Sequence, residues 1–439
     1  MTPESKTLKY ILSHLEEVDK FEGMSPEEAE TRKSVEPLPC ESFEELCERF
    51  HETKYLMSET TKQAFAVILA VILSTRFKSG DPVWVHCVGA SGGGKTTLIM
   101  AAAGLLDHTY FLSKFTGIHS GMKVKGSKDP SLVEHIQDRT LIIKDFTTVL
   151  TLPETTKSTV YSELRDFFDG ESSSFYRNGE GSKEYKNVRF SVISCVTQAV
   201  RLDNYTSLGE RFLQVELLDK DHSRQKQIGV TTTAANAGLD AEGGDGVYVD
   251  VATPRKQYTT GFLLSKMKQL DDNNNTLPNL PIEYCDRITA IADVVSYLRS
   301  KVEREGKNQA LAFRPEPEIG ARIANQMVKL ARCLGVILGK DECDEQVYRI
   351  IRKVALDTAN SYTTEIALTL LGKRGGLTEK ELSNVLKVHP STIRRRIQDM
   401  RELGIVFVKK RSNGQPQGRD VHIFVLASHI RKLMRKAKF

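Results

Sequence analysis

A glycine-rich segment between an apolar run and a helix-forming run carries the most specific chemical pattern in this chain. Gly89 is followed after four residues by Gly94, Lys95 and Thr96, which satisfies the pattern G-x-x-x-x-G-K-[ST]. Such glycines let backbone N–H groups curl around a triphosphate, while the lysine can reach the β- and γ-phosphates and the threonine hydroxyl can hold Mg²⁺. The spacing predicts an ATP-binding phosphate loop made of Gly89, Ala90, Ser91, Gly92, Gly93, Gly94, Lys95, Thr96 and Thr97.

A strand and a helix must flank this loop if it is to bind nucleotide. The apolar run WVHCV before Gly89 is strand-like, and residues 98–106 continue a helix after the loop. Residues 61–77 are apolar around nearly the whole helical circumference, which predicts a helix buried against a sheet. At this length, with Arg76 closing it, a core helix is favoured over a membrane helix.

A second strand-like run, TLIIKDF, ends in a carboxylate that could hold Mg²⁺. At the C-terminal tip of such a strand, Asp145 would bind the ion opposite the Thr96 hydroxyl. The usual pattern has a glutamate directly after this aspartate to polarise the attacking water, but Phe146 stands there. Glu163 is the best substitute as catalytic base and Glu154 the next, although either could be a surface carboxylate.

Two further polar residues lie beside strand-like runs. Gln198 follows the run VRFSVISCV and could sense the γ-phosphate or orient water, or it could simply belong to a capped turn. Arg211 precedes another strand-like run, in SLGERFLQVELL, and could act as an arginine finger on the nucleotide of a neighbouring subunit. The alternative for Arg211 is a local ion pair with Glu210 or Asp219.

Charge is distributed unevenly along the 439 residues. Residues 367–439 contain 17 Lys or Arg and 5 Asp or Glu, a net charge of +12 against +5 for the whole chain, so the preceding residues carry −7. A basic C-terminal module points to nucleic acid as its partner, because phosphate contacts dominate such binding. The seven cysteines have no zinc-ligand spacing, and no apolar run suits a membrane span or a signal peptide, so we expect reduced core thiols in a cytoplasmic protein without a membrane partner.

The basic region has the pattern of two helices followed by a hairpin. LTEKELSNVLK begins with a capping box of Thr378 and Glu381, and STIRRRIQDMREL begins a second helix that Ser391 would cap. Two strand-like runs joined by a basic loop follow, so the pattern predicts a helix-turn-helix with a wing. A module of this kind can also dock onto protein. The residues predicted to contact DNA are Thr392, Arg394, Arg395, Arg396, Gln398, Lys409, Lys410, Arg411 and Arg419.

Taken in order, GASGGGKTTL, LIIKDFTTVL, SVISCVTQA and SLGERFLQVEL resemble an AAA+ ATPase of the phage and mobile-element type. GERF before a strand is similar to the finger motif of minichromosome-maintenance-like helicases. Residues 313–359 resemble the helical lid of these ATPases, in which an arginine senses nucleotide, and Arg322 or alternatively Arg314 matches that position. The resemblance implies a ring, usually a hexamer, in which Lys95, Thr96 and Asp145 act in cis and Arg211 in trans.

The expected architecture is a P-loop AAA+ three-layer α/β sandwich with a helical lid and a C-terminal winged helix-turn-helix domain. We expect a helical segment at residues 1–60, the ATPase module at 61–365 with its lid from about 282, and the DNA-binding domain with a basic tail at 366–439. The expected function is an ATP-driven, DNA-associated motor, a helicase or initiator that works with other replication proteins of a phage, plasmid or mobile element. The alternatives are an ATP-switched DNA-binding regulator and a helicase loader.

Overall fold

A central parallel sheet surrounded by helices forms the framework of the chain. The computed structural model describes residues 35–53, 55, 57–119, 131–176, 181–201, 211–217, 252–305, 310–359, 361–411 and 421–439. The strands are β1 (Trp84–Val88), β2 (Thr109–Leu112), β3 (Thr140–Ile143), β4 (Ser172–Tyr176), β5 (Gly181–Tyr185), β6 (Ser191–Val196), β7 (Leu213–Glu216), β8 (Arg304–Glu305), β9 (Ala310–Leu311), β10 (Val406–Arg411) and β11 (Val421–Leu426). The helices are α1 (Phe43–Glu52), α2 (Glu59–Ser74), α3 (Lys95–Ala102), α4 (Val133–Ile136), α5 (Thr147–Leu150), α6 (Glu154–Asp169), α7 (Ala252–Asp272), α8 (Ile282–Arg299), α9 (Ala321–Ile337), α10 (Glu345–Thr358), α11 (Ser361–Gly372), α12 (Glu379–Leu386), α13 (Pro390–Glu402) and α14 (Ser428–Lys436).

Five strands form the sheet in the order β2–β3–β6–β1–β7, and all neighbouring strands are parallel. Their carboxyl ends therefore meet at one edge, here the carboxyl edge, and their amino ends meet at the opposite amino edge. Every residue of β1, β3 and β6 is buried, as expected for parallel strands that are covered on both faces. The prediction of an α/β fold is confirmed, and the three strand-like runs form the inner strands of the sheet.

Helix α2 covers one face of the sheet, as its apolar circumference predicts. Ser58 caps the helix, and every residue from Ala64 to Ser74 is buried. The Thr61 hydroxyl donates to the carbonyl of Leu217 at the carboxyl edge (2.9 Å), and the hydroxyls of Ser74 and Ser191 lie 3.1 Å apart at the amino edge. The helix therefore runs antiparallel to the strands inside the protein core. Of the described helices, none has both the length and the apolar character needed to cross a membrane.

An aromatic cluster joins the other face of the sheet to α6. The Trp84 ring packs against Phe168, Phe190 and Phe212 at centroid distances of 5.0–5.3 Å, and its indole N–H donates to the carbonyl of Phe190 (2.9 Å). His86 stacks on Phe212 at 4.0 Å and lies 2.6 Å from the Ser194 hydroxyl. The sheet is thus enclosed between α2 and α6, with β1 at the centre of both packing faces.

Two elements in this region were not predicted from the sequence. An antiparallel hairpin, β4–β5, follows α6 and precedes β6. Helix α7 occupies 21 residues ahead of α8, where no helix was predicted. Its Gly261 allows a close approach to the N-terminal segment, because a Cβ there would lie 1.8 Å from the carbonyl oxygen of Leu38.

Three helices cover the outer edge of β7. Helix α8 packs against α9 and α10, and α10 supplies acceptors for the strand's outward N–H groups. The Gln214 N–H donates to the Thr358 hydroxyl and the Glu216 N–H donates to the Asp357 carboxylate, both at 2.8 Å. An edge strand is therefore hydrogen-bonded by side chains instead of by a sixth strand.

The C-terminal region contains two helices and a hairpin, as predicted. Thr378 and Glu381 form the predicted capping box of α12, and β10 pairs antiparallel with β11. The cap of α13 differs from the prediction: His389 caps it by accepting from the Ser391 N–H, because Pro390 already occupies the first helical position. The main chain thus begins the helix two residues earlier than Ser391 would allow.

The C-terminal region is packed onto the preceding helices without a linker. Helix α11 runs across the predicted domain boundary at residue 366. The last helix, α14, packs on α8, and the Tyr348 hydroxyl of α10 donates to the carbonyl of Ala437 (2.7 Å). The basic tail, for which either a DNA-tracking or a solvated role is expected from sequence, thus buries Ile430 and Met434 in the core.

Candidate functional site at the carboxyl edge of the sheet

The phosphate loop connects the inner strand β1 to α3 at the carboxyl edge. The Gly89 N–H donates to the carbonyl of Val196, the last residue of β6 (3.2 Å). Gly92 and Gly94 have φ values of 74° and 77°, a left-handed conformation that costs glycine little and other residues more. The strand, turn and helix that phosphate binding requires are therefore all present.

Lys95 folds back onto its own loop. Its ammonium donates to the carbonyls of Gly89 (2.7 Å) and Ala90 (2.6 Å), and the residue is only 9% exposed. Burial lowers the pKa of Lys95, and the negative charge of Asp145 is among the groups that oppose this shift. A phosphate entering the loop would supply a stronger acceptor than these carbonyls, because hydrogen bonds between ions are stronger than those to neutral groups.

Asp145 lies two residues beyond β3 at the same edge. It is exposed, and its Oδ1 accepts a hydrogen bond from the Thr147 N–H (2.9 Å), which holds the carboxylate at the start of α5. Thr96 is half-buried in the first turn of α3. A hydroxyl and a carboxylate are oxygen ligands of the kind that Mg²⁺ takes, so these residues fit the ion expected beside a triphosphate.

The end of β6 brings two more polar residues to the edge. The Thr197 N–H donates to the Thr147 hydroxyl (3.3 Å), and the exposed Gln198 amide lies 3.5 Å from the carboxylate of Glu216 at the end of β7. Glu216 was not among the residues predicted from sequence. Its type and strand position were readable in LQVEL, but the pairing of β7 with β1 was not.

The two carboxylates predicted as candidate bases make structural contacts. The Glu163 Oε2 accepts from the N–H groups of Ile118 (2.8 Å) and His119 (3.3 Å), which ties α6 to the loop after β2. Glu154 pairs with Lys157 at 2.9 Å in the first turn of α6. These contacts give both residues a packing or surface role.

Tyr55 supports the phosphate loop from the N-terminal segment. Its hydroxyl donates to the carbonyl of Gly94 (3.2 Å), and a Cβ at Gly94 would lie 2.5 Å from that hydroxyl. Burial raises the pKa of Tyr55, and the Arg255 guanidinium lies 5.4 Å from its ring centroid. Residues 1–60 were expected to form a separate helical segment, but Tyr55 in this range contacts the phosphate loop. No motif in the sequence marks this contact.

The structure does not bring Arg211 and Arg322 to the phosphate loop. Arg211 precedes β7 and is 6% exposed, and its guanidinium pairs with Asp169 at 2.8 Å. Arg322 lies 3.6 Å from the same carboxylate. It belongs to α9, where Gln326 accepts a hydrogen bond from the backbone N–H of Trp84 (3.2 Å), the first residue of β1.

Both arginines therefore lie at the amino edge. Five strand residues at about 3.3 Å each separate this edge from the loop by roughly 16 Å, which exceeds the length of an arginine side chain. This distance places Arg322 out of reach of a nucleotide in the phosphate loop of its own chain. The alternative, Arg314, is exposed. The predicted ion-pair partners of Arg211, Glu210 and Asp219, lie outside the described residues.

The predicted DNA-contacting residues lie on α13 and β10. Arg394 makes a bidentate pair with Glu379 (2.9 and 3.0 Å), so part of its charge is already compensated. Arg419 lies outside the described residues, and only the backbone of Arg411 is described. The Phe407 ring is 56% exposed on the same strand as the lysines. The other predicted residues are exposed or half-exposed, namely Thr392, Arg395, Arg396, Gln398, Lys409 and Lys410.

No protein-family model matches this chain, and a search of curated proteins finds no similar sequence. The arguments for function therefore come from the carboxyl edge itself and from the chemistry of its residues.

Proposed function

We propose that this chain is an ATP-hydrolysing, DNA-associated motor of the AAA+ type, a replication helicase or initiator of a phage, plasmid or mobile element. One observation carries the proposal: a G-x-x-x-x-G-K-T loop joins an inner strand of a parallel sheet to a helix, and Asp145 follows β3 at the same edge. This strand arrangement is compatible with a P-loop nucleotide hydrolase. The assignment to phage or mobile-element replication rests on the sequence resemblance.

In this proposal the loop residues 89–97 bind the triphosphate of ATP. Lys95 neutralises the β- and γ-phosphates after leaving the carbonyls of Gly89 and Ala90. Mg²⁺, held by the Thr96 hydroxyl and the Asp145 carboxylate, would neutralise charge on the phosphate oxygens. Gln198 contacts the γ-phosphate or the attacking water from the end of β6.

The position of Arg211 supports an assembly in which subunits share active sites. At the amino edge Arg211 is out of reach of its own phosphate loop, so a catalytic Arg211 acts on the nucleotide of a neighbouring copy. Asp169 neutralises the guanidinium and holds it against the Phe168 ring, 5.5 Å from the ring centroid. A ring of identical subunits, for example a hexamer, satisfies this requirement for every copy.

The C-terminal region would then act as a winged helix-turn-helix that binds DNA. Its excess of 12 positive charges supports binding to phosphates, and α13 and the β10–β11 hairpin carry the exposed basic residues. Thr392, Arg395 and Gln398 are the candidates for contacts to base edges.

ATP turnover with and without DNA tests the motor. We expect single-stranded or duplex DNA to accelerate hydrolysis by the wild type, and Lys95→Ala and Arg211→Ala to abolish it. In the proposed ring, the Lys95 and Arg211 of each active site come from two different subunits. A mixture of the two variants should therefore contain some intact sites and recover part of the activity. Arg352→Ala is the matched control, because this guanidinium donates to the carbonyl of Lys438 near the end of the chain. A wild type that binds ATP but hydrolyses it no faster with DNA contradicts the motor.

A second candidate is an ATP-switched DNA-binding regulator or a helicase loader. The observation that favours it is Phe146, which fills the usual position of the water-activating glutamate and is fully buried. A switch of this kind would hydrolyse ATP slowly and protect a DNA site from nuclease only when ATP is bound. ATP-dependent footprinting combined with slow turnover would favour the switch, whereas rapid DNA-stimulated turnover would favour the motor.

A further inference from the structure

A hydrolase built on this edge needs a carboxylate to activate water, and the predicted positions do not offer one. Phe146 packs into the aromatic core, 5.1 Å from the His86 ring and 6.0 Å from the Phe212 ring. The Glu163 carboxylate accepts from the main chain of Ile118 and His119. Among the described residues, the remaining candidates for the base lie at the other strand ends.

Glu216 is a carboxylate beside the phosphate loop. It is the last residue of β7 and pairs in register with Val88, the last residue of β1. The next N–H, that of Leu217, donates to the carbonyl of Val88 (3.3 Å), and Gly89 begins the loop one residue later. Of the described residues within two positions of the five strand ends, Asp145 and Glu216 are the acidic ones.

Helix α10 forms hydrogen bonds with both backbone polar groups of Glu216. Its N–H donates to the Asp357 carboxylate, and its carbonyl accepts from the Lys353 ammonium, both at 2.8 Å. Asp357 is half-buried, and the loss of hydration raises its pKa. The half-exposed Glu216 side chain extends to Gln198 at the end of β6, with Gln198 Nε2 and Glu216 Oε1 3.5 Å apart.

We propose that Glu216 is the general base for ATP hydrolysis and that Gln198 positions its carboxylate; this inference rests on the proposed function. The carboxylate takes a proton from a water molecule while the water oxygen bonds to the γ-phosphorus. The bond from the γ-phosphorus to the β,γ-bridging oxygen breaks, and its electron pair remains on ADP. Glu216 then passes the proton to solvent, which leaves ADP and inorganic phosphate.

The test compares Glu216→Gln with Glu163→Gln in the full chain. Glutamine keeps the size of the side chain and both backbone contacts to α10, but it cannot accept the proton. Binding is measured with a fluorescent N-methylanthraniloyl derivative of ATP, and chemistry is measured by single-turnover hydrolysis of radiolabelled ATP. We expect Glu216→Gln to bind the analogue within about threefold of wild type and to slow hydrolysis by about 100-fold or more. ATP retained on this variant should be recovered intact.

Three further results keep the assignment open to refutation. Glu163→Gln should hydrolyse ATP within about threefold of wild type, and Glu216→Asp, which retains a carboxylate on a shorter stem, should be faster than Glu216→Gln. Gln198→Ala should lower the hydrolysis rate less than Glu216→Gln does. Circular dichroism of each variant separates misfolding from lost chemistry.

The outcomes distinguish this assignment from the proposed function. Wild-type rates in Glu216→Gln, or a large loss in Glu163→Gln alone, overturn the role of Glu216 and leave the ATPase intact. A wild type that binds no ATP overturns both proposals together. A Glu216→Gln variant that loses binding and hydrolysis in equal measure also overturns the role, because a base contributes to chemistry more than to affinity.

Discussion

At the scale of single residues, the phosphate loop depends on neighbours that bear no motif. Tyr55 lies forty residues before the lysine, yet its hydroxyl contacts the carbonyl of Gly94. His86 lies beneath the loop in β1 and is fully buried between Phe146 and Phe212. These contacts hold the end of β1 and the start of α3, and thus the direction of the loop amides.

Tyr55→Phe removes one hydroxyl while it keeps the aromatic packing. We expect ATP affinity to fall by roughly three- to tenfold, because a neutral hydrogen bond contributes about 1 kcal/mol. Titration with a fluorescent ATP analogue measures the change, and Tyr362→Phe, at an exposed position on α11, is the control. Unchanged affinity with a lowered melting temperature would limit Tyr55 to a structural role.

The buried His86 predicts sensitivity to acid. Burial lowers the pKa of His86 from 6.5 to about 3, so between these values the unfolded chain binds a proton that the folded chain excludes. Stability is therefore lost as the pH falls below about 6.5. From pH 7 to pH 5 this group should remove about 2 kcal/mol from the free energy of unfolding. Urea unfolding at both pH values checks this.

The matched variants for this prediction are His86→Gln and the exposed His422→Gln. His86→Gln costs stability at pH 7, since it disrupts stacking on Phe212, but it should lose about 2 kcal/mol less than wild type on going to pH 5. His422→Gln should behave as wild type does. An equal acid response in all three proteins would contradict the assignment to His86.

At the scale of elements, α10 connects the carboxyl edge of the sheet with the C-terminal region. One end of α10 supplies Asp357 and Thr358 to the outer edge of β7, and Tyr348 near its start contacts the carbonyl of Ala437. The helix thus touches both the strand that bears Glu216 and the last helix of the chain. A shift of α10 would therefore move its contacts to β7 and to Ala437 together, because packed helices move as rigid units.

Thr358→Val tests the contact between α10 and β7. The substitution keeps the shape of the side chain but leaves the buried Gln214 N–H without its acceptor, which should lower the free energy of unfolding by about 1–3 kcal/mol. Thr369→Val is the matched control, because the Thr369 hydroxyl donates within its own helix, to the carbonyl of Glu365. Equal losses in the two variants would show that the strand does not depend on Thr358. Denaturant unfolding measures both.

At the scale of the whole molecule, the basic C-terminal region is continuous with the α/β body. Lys436 pairs with Asp286 of α8 at 3.2 Å, and the Arg431 guanidinium donates to the carbonyls of Leu370 and Leu371. These two cations therefore hold the C-terminal region against the rest of the protein. The proposed contacts to DNA phosphates would therefore come from the exposed cations of α13 and β10.

Arg396→Ala should weaken DNA binding and reduce the slope of log K against log salt by about 1, since one phosphate contact is removed. Arg352→Ala is the control, because its guanidinium donates to the carbonyl of Lys438 on a different surface. Fluorescence anisotropy with duplex DNA at several salt concentrations measures both. A salt slope that Arg396→Ala leaves unchanged would favour protein docking by this region.

The sequence by itself determined the local features. The glycine, lysine and threonine spacing, the apolar runs of β1, β3 and β6, the buried helix α2 and the capping box at Thr378 all follow from contacts between residues close in the chain. Helix α7 and hairpin β4–β5 were missed because polar and glycine-rich residues around them resemble loops. Burial against distant segments stabilises α7.

Only the tertiary structure decided which residues share a site. Strand order brings Glu216 beside Gly89 although 127 positions separate them in the numbering. It also takes Arg211 and Arg322 to the opposite edge, where they meet at Asp169. A sequence pattern shows which residues are neighbours along the chain. Which strands pair in a parallel sheet depends instead on burying both faces of the sheet at the same time. Only the distances in the folded protein distinguish a carboxylate that can act as a base from one that has a structural role.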